Sequence, residues 1–476
     1  MVAGRGVNVF VQVGSMLLLA RLLGPHDFGL VATVLGLVGF APLLIDLGTT
    51  DAVTQKTQIT HDEISTLFWL NIVIGGIMTA LFAAASSTIA LIFGEPPLAG
   101  IALVSSLTFI LTALPIQHYA LMRRAMEFRC IAVIEMSSNV ASSAIAVAMA
   151  FAGWGYWALV AKPILQLGMT AIGAWSSCPW LPGRARITPE VKGLVRFGLG
   201  IAGFALSDQL NRSTDRLALA YVYGPTALGY FQNAFLIYSN LISLFFEPLH
   251  NVAVSGLSKL RHNVVELRRI WFAALSAVSF FTIPIFAALA ITGQDFVVLL
   301  LGESWASAGP LLSIFAVRGI AQSVERTLGW LHIVAGRPDR WMRWGLFSTP
   351  CQLLALAVGL PFGPTGVAIA CTVAMFGLFI PALVYAGAPL GIGTKEVLAA
   401  TGPQIASGLI AATFGYMLQQ SWLGEVSHLT RFVISMPICF TIYVVAVVGV
   451  FRVSGPLMLT FSLLRGVIAN ASKRGA

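Results

Sequence analysis

The chain is a succession of apolar runs, each close to twenty residues long, and no other feature of the sequence restricts its fold so far. The runs fall at 6–23, 29–48, 65–93, 98–121, 131–152, 154–177, 194–222, 228–249, 270–292, 307–334, 341–360, 364–388, 402–419 and 429–451. About 20 apolar residues carry an α-helix across the hydrocarbon core of a bilayer. A transmembrane barrel would show alternating segments of about ten residues instead, and the sequence has none. Only 10% of the 476 residues are charged, where soluble domains carry about 25%. The fold class expected is an all-α integral membrane protein of about 14 transmembrane helices.

The first run has no small-x-small cleavage pattern before Arg21, so it reads as an uncleaved helix and not as a signal peptide. The five cysteines, Cys130, Cys178, Cys351, Cys371 and Cys439, show no metal-ligand spacing and read as small packing residues. No catalytic, metal or cofactor motif is assigned. Lysine and arginine set the orientation. With fourteen spans and a cytoplasmic N-terminus, the outer loops hold only Arg21 and Arg431, while Arg123, Arg124, Arg184, Arg268, Arg269 and the other loop cations fall inside. This positive-inside pattern predicts that both termini are cytoplasmic, and it accounts for the formal net charge of +9. The basicity therefore marks topology and contact with anionic membrane lipids, not nucleic acid.

A repeat orders the spans. "LLLARLLGPHDFG" (17–29) and "LALAYVYGPTALG" (217–229) match at an offset of 200, with Gly24/Gly224, Pro25/Pro225 and Gly29/Gly229 identical. Each copy ends one helix, turns through Gly-Pro and starts the next. Six helices separate the copies, so the halves share one orientation. Parallel repeats of this kind place a substrate site at the interface of the halves. The expected organisation is two parallel six-helix lobes around a central cavity, residues 1–178 and 194–390, joined by a cytoplasmic linker at 179–193. Helices 13 and 14 with a basic cytoplasmic tail follow at 391–476.

Three stretches, "LARLLGPHDFGLVA", "ALMRRAMEFRCIAVIE" and "LGYFQNAFLIYSNLISLFFEPL", resemble the polysaccharide-transport branch of the multidrug/oligosaccharidyl-lipid/polysaccharide flippase superfamily. The likeness runs from about residue 7 to 390 and is specific at Arg21, Pro25, Phe28, Gly29, Arg123, Arg124, Phe128 and Arg129. It implies a multi-pass protein of the bacterial inner membrane that flips undecaprenyl-diphosphate-linked oligosaccharides, with polysaccharide polymerase and chain-length machinery as further partners. Two departures stand out. Members usually carry more residues before the first helix, and they have Phe-Pro-x-x-Ser after the eighth, where this chain has Ser255-Gly256.

Full charges sit inside two of the runs. Asp208, Arg212, Asp215 and Arg216 lie at i, i+4, i+7 and i+8, and Arg318, Gln322, Glu325 and Arg326 repeat the spacing. Each set makes one stripe on its helix. A charge at the bilayer centre costs at least about 2.5 kcal/mol on insertion scales, so it faces a cavity or a partner. One reading is internal neutralisation, carboxylates pairing with arginines as glue between helices. The other starts from the surplus of cations: four arginines and Lys162 against three carboxylates. Guanidinium forks bind phosphate oxygens bidentately. With the resemblance, this makes Arg212, Arg216, Arg318, Arg326 and Lys162 the expected ligands of a polyprenyl-diphosphate-linked oligosaccharide. Asp208, Asp215 and Glu325 are then the candidate ion-coupling carboxylates for gradient-driven alternating access.

Two other readings compete. A multidrug antiporter of the same superfamily would favour the opposite charge balance in its cavity. A membrane glycosyltransferase or polymerase needs carboxylates on sizeable outer loops, and here those loops are short. Asp46 reads as a cap or pair near a helix end. His118, 200 residues before Arg318, reads as a packing residue.

Overall fold

The computed structural model describes the backbone of residues 2–56, 58–186, 189–259, 263–423, 426–453 and 455. Side chains are described for the same residues apart from 2–10, 51, 52, 55, 189–208, 210–212, 245, 247–252, 254–256, 258, 259 and 338. The described regular structure is helical, with no strand among the described residues. Nine segments there are long and apolar enough to cross a membrane, from Pro25–Asp46 to His428–Val450. One of these, Asp339–Leu390, holds two helices in series. Large apolar side chains such as Leu81, Leu91, Ile172, Leu354 and Val358 stay exposed on the outer faces, the arrangement that lipid favours and water does not. The protein is a multi-pass membrane protein.

Several apolar runs break where backbone chemistry requires it. The run at 65–93 divides at Ala85 into His61–Ala84 and Ser86–Phe93. The run at 98–121 becomes Pro97–Ser105, Leu107–Ala113 and Ile116–Arg124, the last break falling at Pro115, which has no N–H to give. The stretch 261–269, which reads in sequence as a separate basic surface helix, is from Val264 the opening of the 38-residue helix Val264–Leu301. The Asn263 side chain accepts from the Glu266 amide and caps it.

The two copies of the repeated turn differ in form. Gly24 has extended backbone (φ −80°, ψ 168°) and separates Val2–Leu22 from Pro25–Val38. Gly224 (φ 77°, ψ 176°) is a single non-helical residue inside Pro189–Lys259, a conformation open to glycine and closed to most side chains. The copies also meet. A Cβ on Gly29 would fall on the Pro225 carbonyl, and one on Gly229 would fall on the Pro25 carbonyl. His26 Nδ1 lies 3.3 Å from Thr226 Oγ1 in the same contact. Residue i of one turn touches residue j of the other and the reverse, so the pair has local two-fold character.

The chain divides into two compact units, Met1–Gln232 and Asn233–Ala476. In the first, Val2–Leu22 packs on Phe128–Phe151, which packs on Trp157–Ser177, and His61–Ala84 packs on Leu107–Ala113. Gly75 lets the last pair approach, with Ala113 and the Phe109 carbonyl against its Cα face. In the second, Val264–Leu301 is the central post. Ala308–Val334, Thr394–Ser421 and His428–Val444 all pack on it. Tyr443 donates to the Phe280 carbonyl at 3.1 Å, and Arg268 pairs with Glu396 at 2.6 Å.

Candidate functional site

The charged face of Ala308–Val334 opens on a pocket of about 100 Å³ within the second unit. Arg318, Gln322 and Glu325 line it from that helix. Trp344, Ser348 and Gln352 line it from Pro338–Gly359, and Met375, Leu378, Phe379 and Ala382 from Gly363–Gly387. The helical period explains both polar rows: 318, 322 and 325 share one face, and so do 344, 348 and 352.

The polar groups are held from behind. The Tyr238 hydroxyl donates to Gln322 Oε1, and the Tyr238 ring stacks on Phe315 with centroids 5.7 Å apart. Trp344 stacks on Tyr385 at 5.8 Å and 28°. Tyr385 is itself clamped by Arg340, whose guanidinium lies 4.2 Å from the ring centroid and donates to the Tyr385 carbonyl at 2.6 Å. The indole is therefore a braced surface, fixed by stacking on one neighbour. Arg318 Nε is buried and has no hydrogen-bond partner among the described residues. Glu325 forms no ion pair among the described residues, although it lies in the field of both Arg318 and Arg326. The carboxylate does not consume the guanidinium.

The other expected residues are placed as follows. Arg326 is turned to the Phe246 ring, 5.4 Å from its centroid, and is not among the residues lining the pocket. Lys162, on Trp157–Ser177 in the first unit, is half-buried and donates to Ser15 Oγ at 2.7 Å. It has no carboxylate partner among the described residues. Asp215 and Arg216 are half-buried and have partners. The Arg216 stem packs near Gly36, and the Gln209 amide reaches Gly39. The side chains of Asp208 and Arg212 lie outside the described residues. The two charged stripes thus fall in different compact units, Asp215 and Arg216 in one, Arg318 and Glu325 in the other.

Sequence reasoning passed over Trp344, Ser348 and Gln352. Their signal was the four-residue spacing of polar groups inside an apolar run. His118 is buried beside Trp175, ring centroids 4.5 Å apart and tilted by 31°, with Trp180 and Phe68 around it, and neither ring nitrogen has a hydrogen-bond partner among the described residues. Arg124, prominent in the motif "MRRAMEFR", donates to the carbonyls of Val53 and Lys56. It closes the end of the helix Thr49–Gln55, whose last carbonyls need donors.

Comparison with known proteins bears on the family and the fold. The sequence profile described as "Polysaccharide biosynthesis protein" matches residues 18–310. The lipopolysaccharide biosynthesis protein WzxC of Escherichia coli (strain K12) is 27% identical over 352 residues, covering 72% of this chain and 70% of that protein. The succinoglycan biosynthesis transport protein ExoT of Rhizobium meliloti (strain 1021) is 24% identical over 345 residues, 72% and 69% of the two chains. Among solved structures, the lipid II flippase MurJ in its inward closed conformation superposes with a TM-score of 0.77 at 15% identity, over 94% of this chain and 98% of that one. An inward-facing multidrug resistance transporter of the MATE family gives 0.62 at 14% identity, over 83% and 96%. At such identities the structural likeness speaks for the fold.

Proposed function

We propose that this chain, which belongs to the polysaccharide biosynthesis protein family, translocates polyprenyl-diphosphate-linked oligosaccharide across the bacterial inner membrane by alternating access, for export of a surface polysaccharide. It is a transporter, not an enzyme, as the named roles of its relatives indicate. The observation that carries the substrate class is Arg318: a half-buried arginine whose buried Nε has no hydrogen-bond partner among the described residues, beside a polar pocket and a braced indole. A guanidinium in such a place holds a diphosphate oxygen with little competition from water. The Gln322 and Gln352 amides, the Ser348 hydroxyl and the flat face of Trp344 supply what a sugar needs, hydrogen bonds at its rim and an apolar surface under its ring. Lys162 adds a second cation with no carboxylate partner among the described residues. Arg212 and Arg216 extend the same chemistry, and Asp208, Asp215 and Glu325 are the carboxylates to test for ion coupling. No ATP-binding motif is present in the sequence, so an ion gradient, the membrane potential or consumption of the product drives the cycle.

The test is flipping of a fluorescent diphosphate-linked glycolipid in proteoliposomes, read as dithionite-resistant signal lost with time. A purified, monodisperse protein that flips no such lipid but extrudes cationic dyes would replace this reading with the antiporter one. The fourteen-span topology with both termini cytoplasmic is checked separately. Single cysteines at Glu95 and Glu303 should react with an impermeant maleimide in intact cells, and cysteines at Arg184 and Arg268 should not. Labelling at Arg184 overturns that orientation.

A further inference from the structure

The first unit contains a buried oxygen cluster that the transport reading leaves unused. We infer that Asp46, Asn71 and Gln117, gathered around the Thr49 hydroxyl, supply the oxygens of a binding site for a small monovalent cation, with sodium as the natural probe. Four helices bring these side chains together: Ala41–Asp46, Thr49–Gln55, His61–Ala84 and Ile116–Arg124. They meet on one hydroxyl. Thr49 Oγ1 donates to Asp46 Oδ1 at 2.8 Å and accepts from Asn71 Nδ2 at 3.3 Å and Gln117 Nε2 at 3.2 Å. Thr49, Asn71 and Gln117 are all 0% exposed.

A hydroxyl has one proton and two lone pairs, so Thr49 is fully used. The amide oxygens Asn71 Oδ1 and Gln117 Oε1 are then left buried with no hydrogen-bond partner among the described residues. Turning the amides over does not help. Oxygen and nitrogen of an amide are assigned from the hydrogen-bond network, but a flip would point both oxygens at the lone pairs of a hydroxyl whose proton is already given to Asp46. Neither orientation satisfies the cluster from within the protein. A cation lying among these oxygens satisfies both.

Charge selects the ion. Asp46 accepts from the Thr49 and Thr50 hydroxyls and the Thr50 amide, all neutral donors, and forms no ion pair among the described residues. Lys56, one residue past Thr49–Gln55, pairs with Glu63 at 2.7 Å, and Arg124 donates to backbone carbonyls. One uncompensated carboxylate is neutralised by one positive charge, and a divalent ion would leave the membrane-embedded site charged. Carboxylate and amide oxygens suit a hard ion. No group of three or more His, Cys, Asp or Glu residues suited to a transition metal exists among the described residues. Coupling of this site to lipid transport rests on the exporter reading, whereas cation binding itself does not.

The measurement is saturable ²²Na⁺ binding to the purified full-length protein, with potassium and choline as competitors. The wild type should bind one ion per chain. Asp46→Asn and Asn71→Leu should each weaken binding by about tenfold or more, the usual cost of losing a metal-site contact. Thr79→Val, two turns along the helix from Asn71 and bonded only to the Gly75 carbonyl, should leave it unchanged. If Asp46→Asn fails to fold, Gln117→Glu serves instead. It keeps an oxygen ligand and adds a charge, so calcium should displace sodium at a concentration about tenfold lower than in the wild type. Absence of a saturable sodium site in the monodisperse wild type means that water alone fills the cluster and ends the proposal, as does a calcium response unchanged in Gln117→Glu. A protein that binds sodium but flips no diphosphate lipid would remove the exporter reading and leave this site standing.

Discussion

In Met1–Gln232 the buried amides of Asn71 and Gln117 are neutral and meet on the Thr49 hydroxyl; in Asn233–Ala476 the charged side chains of Arg318 and Glu325 line an open pocket with an indole in its wall. Both units place polar atoms in an apolar setting, where each must be matched. The first leaves the amide oxygens of Asn71 and Gln117 buried with no hydrogen-bond partner among the described residues, which suits a small cation on the reading above. The second leaves a guanidinium unsaturated beside about 100 Å³ of space, which suits part of a large anionic ligand. On the two proposals above, the units take ligands of opposite charge and different size.

The largest expected effect breaks the second half of this contrast. Arg318→Gln should lower lipid flipping roughly ten- to a hundredfold, the range for loss of a hydrogen bond to a charged group, while ²²Na⁺ binding stays as in the wild type. Equal flipping in the variant would show that the pocket is not where the diphosphate rests. Next comes Trp344→Ala, set against Trp175→Ala. Truncating an aromatic anchor at a binding site costs about tenfold or more, so Trp344→Ala should weaken transport of the glycosylated lipid while leaving the bare polyprenyl diphosphate nearly unaffected. Trp175 lies beside His118 and donates to the Leu114 carbonyl at 3.1 Å. Its loss should lower the melting temperature and leave sugar preference alone. A shared phenotype for the two tryptophans would erase the distinction between units. The smallest effect is expected for Lys162→Gln, a loss of roughly fivefold in flipping, because one hydrogen-bonded charge is removed from a half-buried position. A stability loss with flipping per folded molecule unchanged would make Lys162 a structural partner of Ser15 only.

These two regions were unequally legible in the sequence. Apolar runs announced the helices because hydrocarbon tolerates little else, and Arg318 and Glu325 announced the pocket because charges in such runs are costly. Neutral polar residues are cheap there. Asn71, Gln117, Ser348 and Gln352 look like ordinary variation until their hydrogen bonds are seen. Asp46 reads as a helix cap, and the Thr50 amide does donate to it at 2.9 Å. What sequence cannot supply is that Asn71 and Gln117, from two other helices, converge on the same threonine. Nor does the stripe spacing tell which members act together: Arg326, one residue from Glu325, turns to Phe246. The repeat was visible as Gly-Pro at an offset of 200, whereas the meeting of its two copies depends on tertiary packing.

That meeting has a consequence for ancestry. A surface in which Gly29 lies on the Pro225 carbonyl and Gly229 on the Pro25 carbonyl is isologous, the kind that closes at two copies and does not propagate into a filament. A shorter chain carrying one such turn would have paired with its twin through this same glycine contact. Every early substitution would then have appeared twice, once on each side of the axis. Within a single polypeptide the two sides of the axis are under no such constraint. His26 faces Thr226, and Tyr221 stands where the other copy has Arg21, so the two sides differ in chemistry around a seam with no room for a side chain at Gly29 or Gly229.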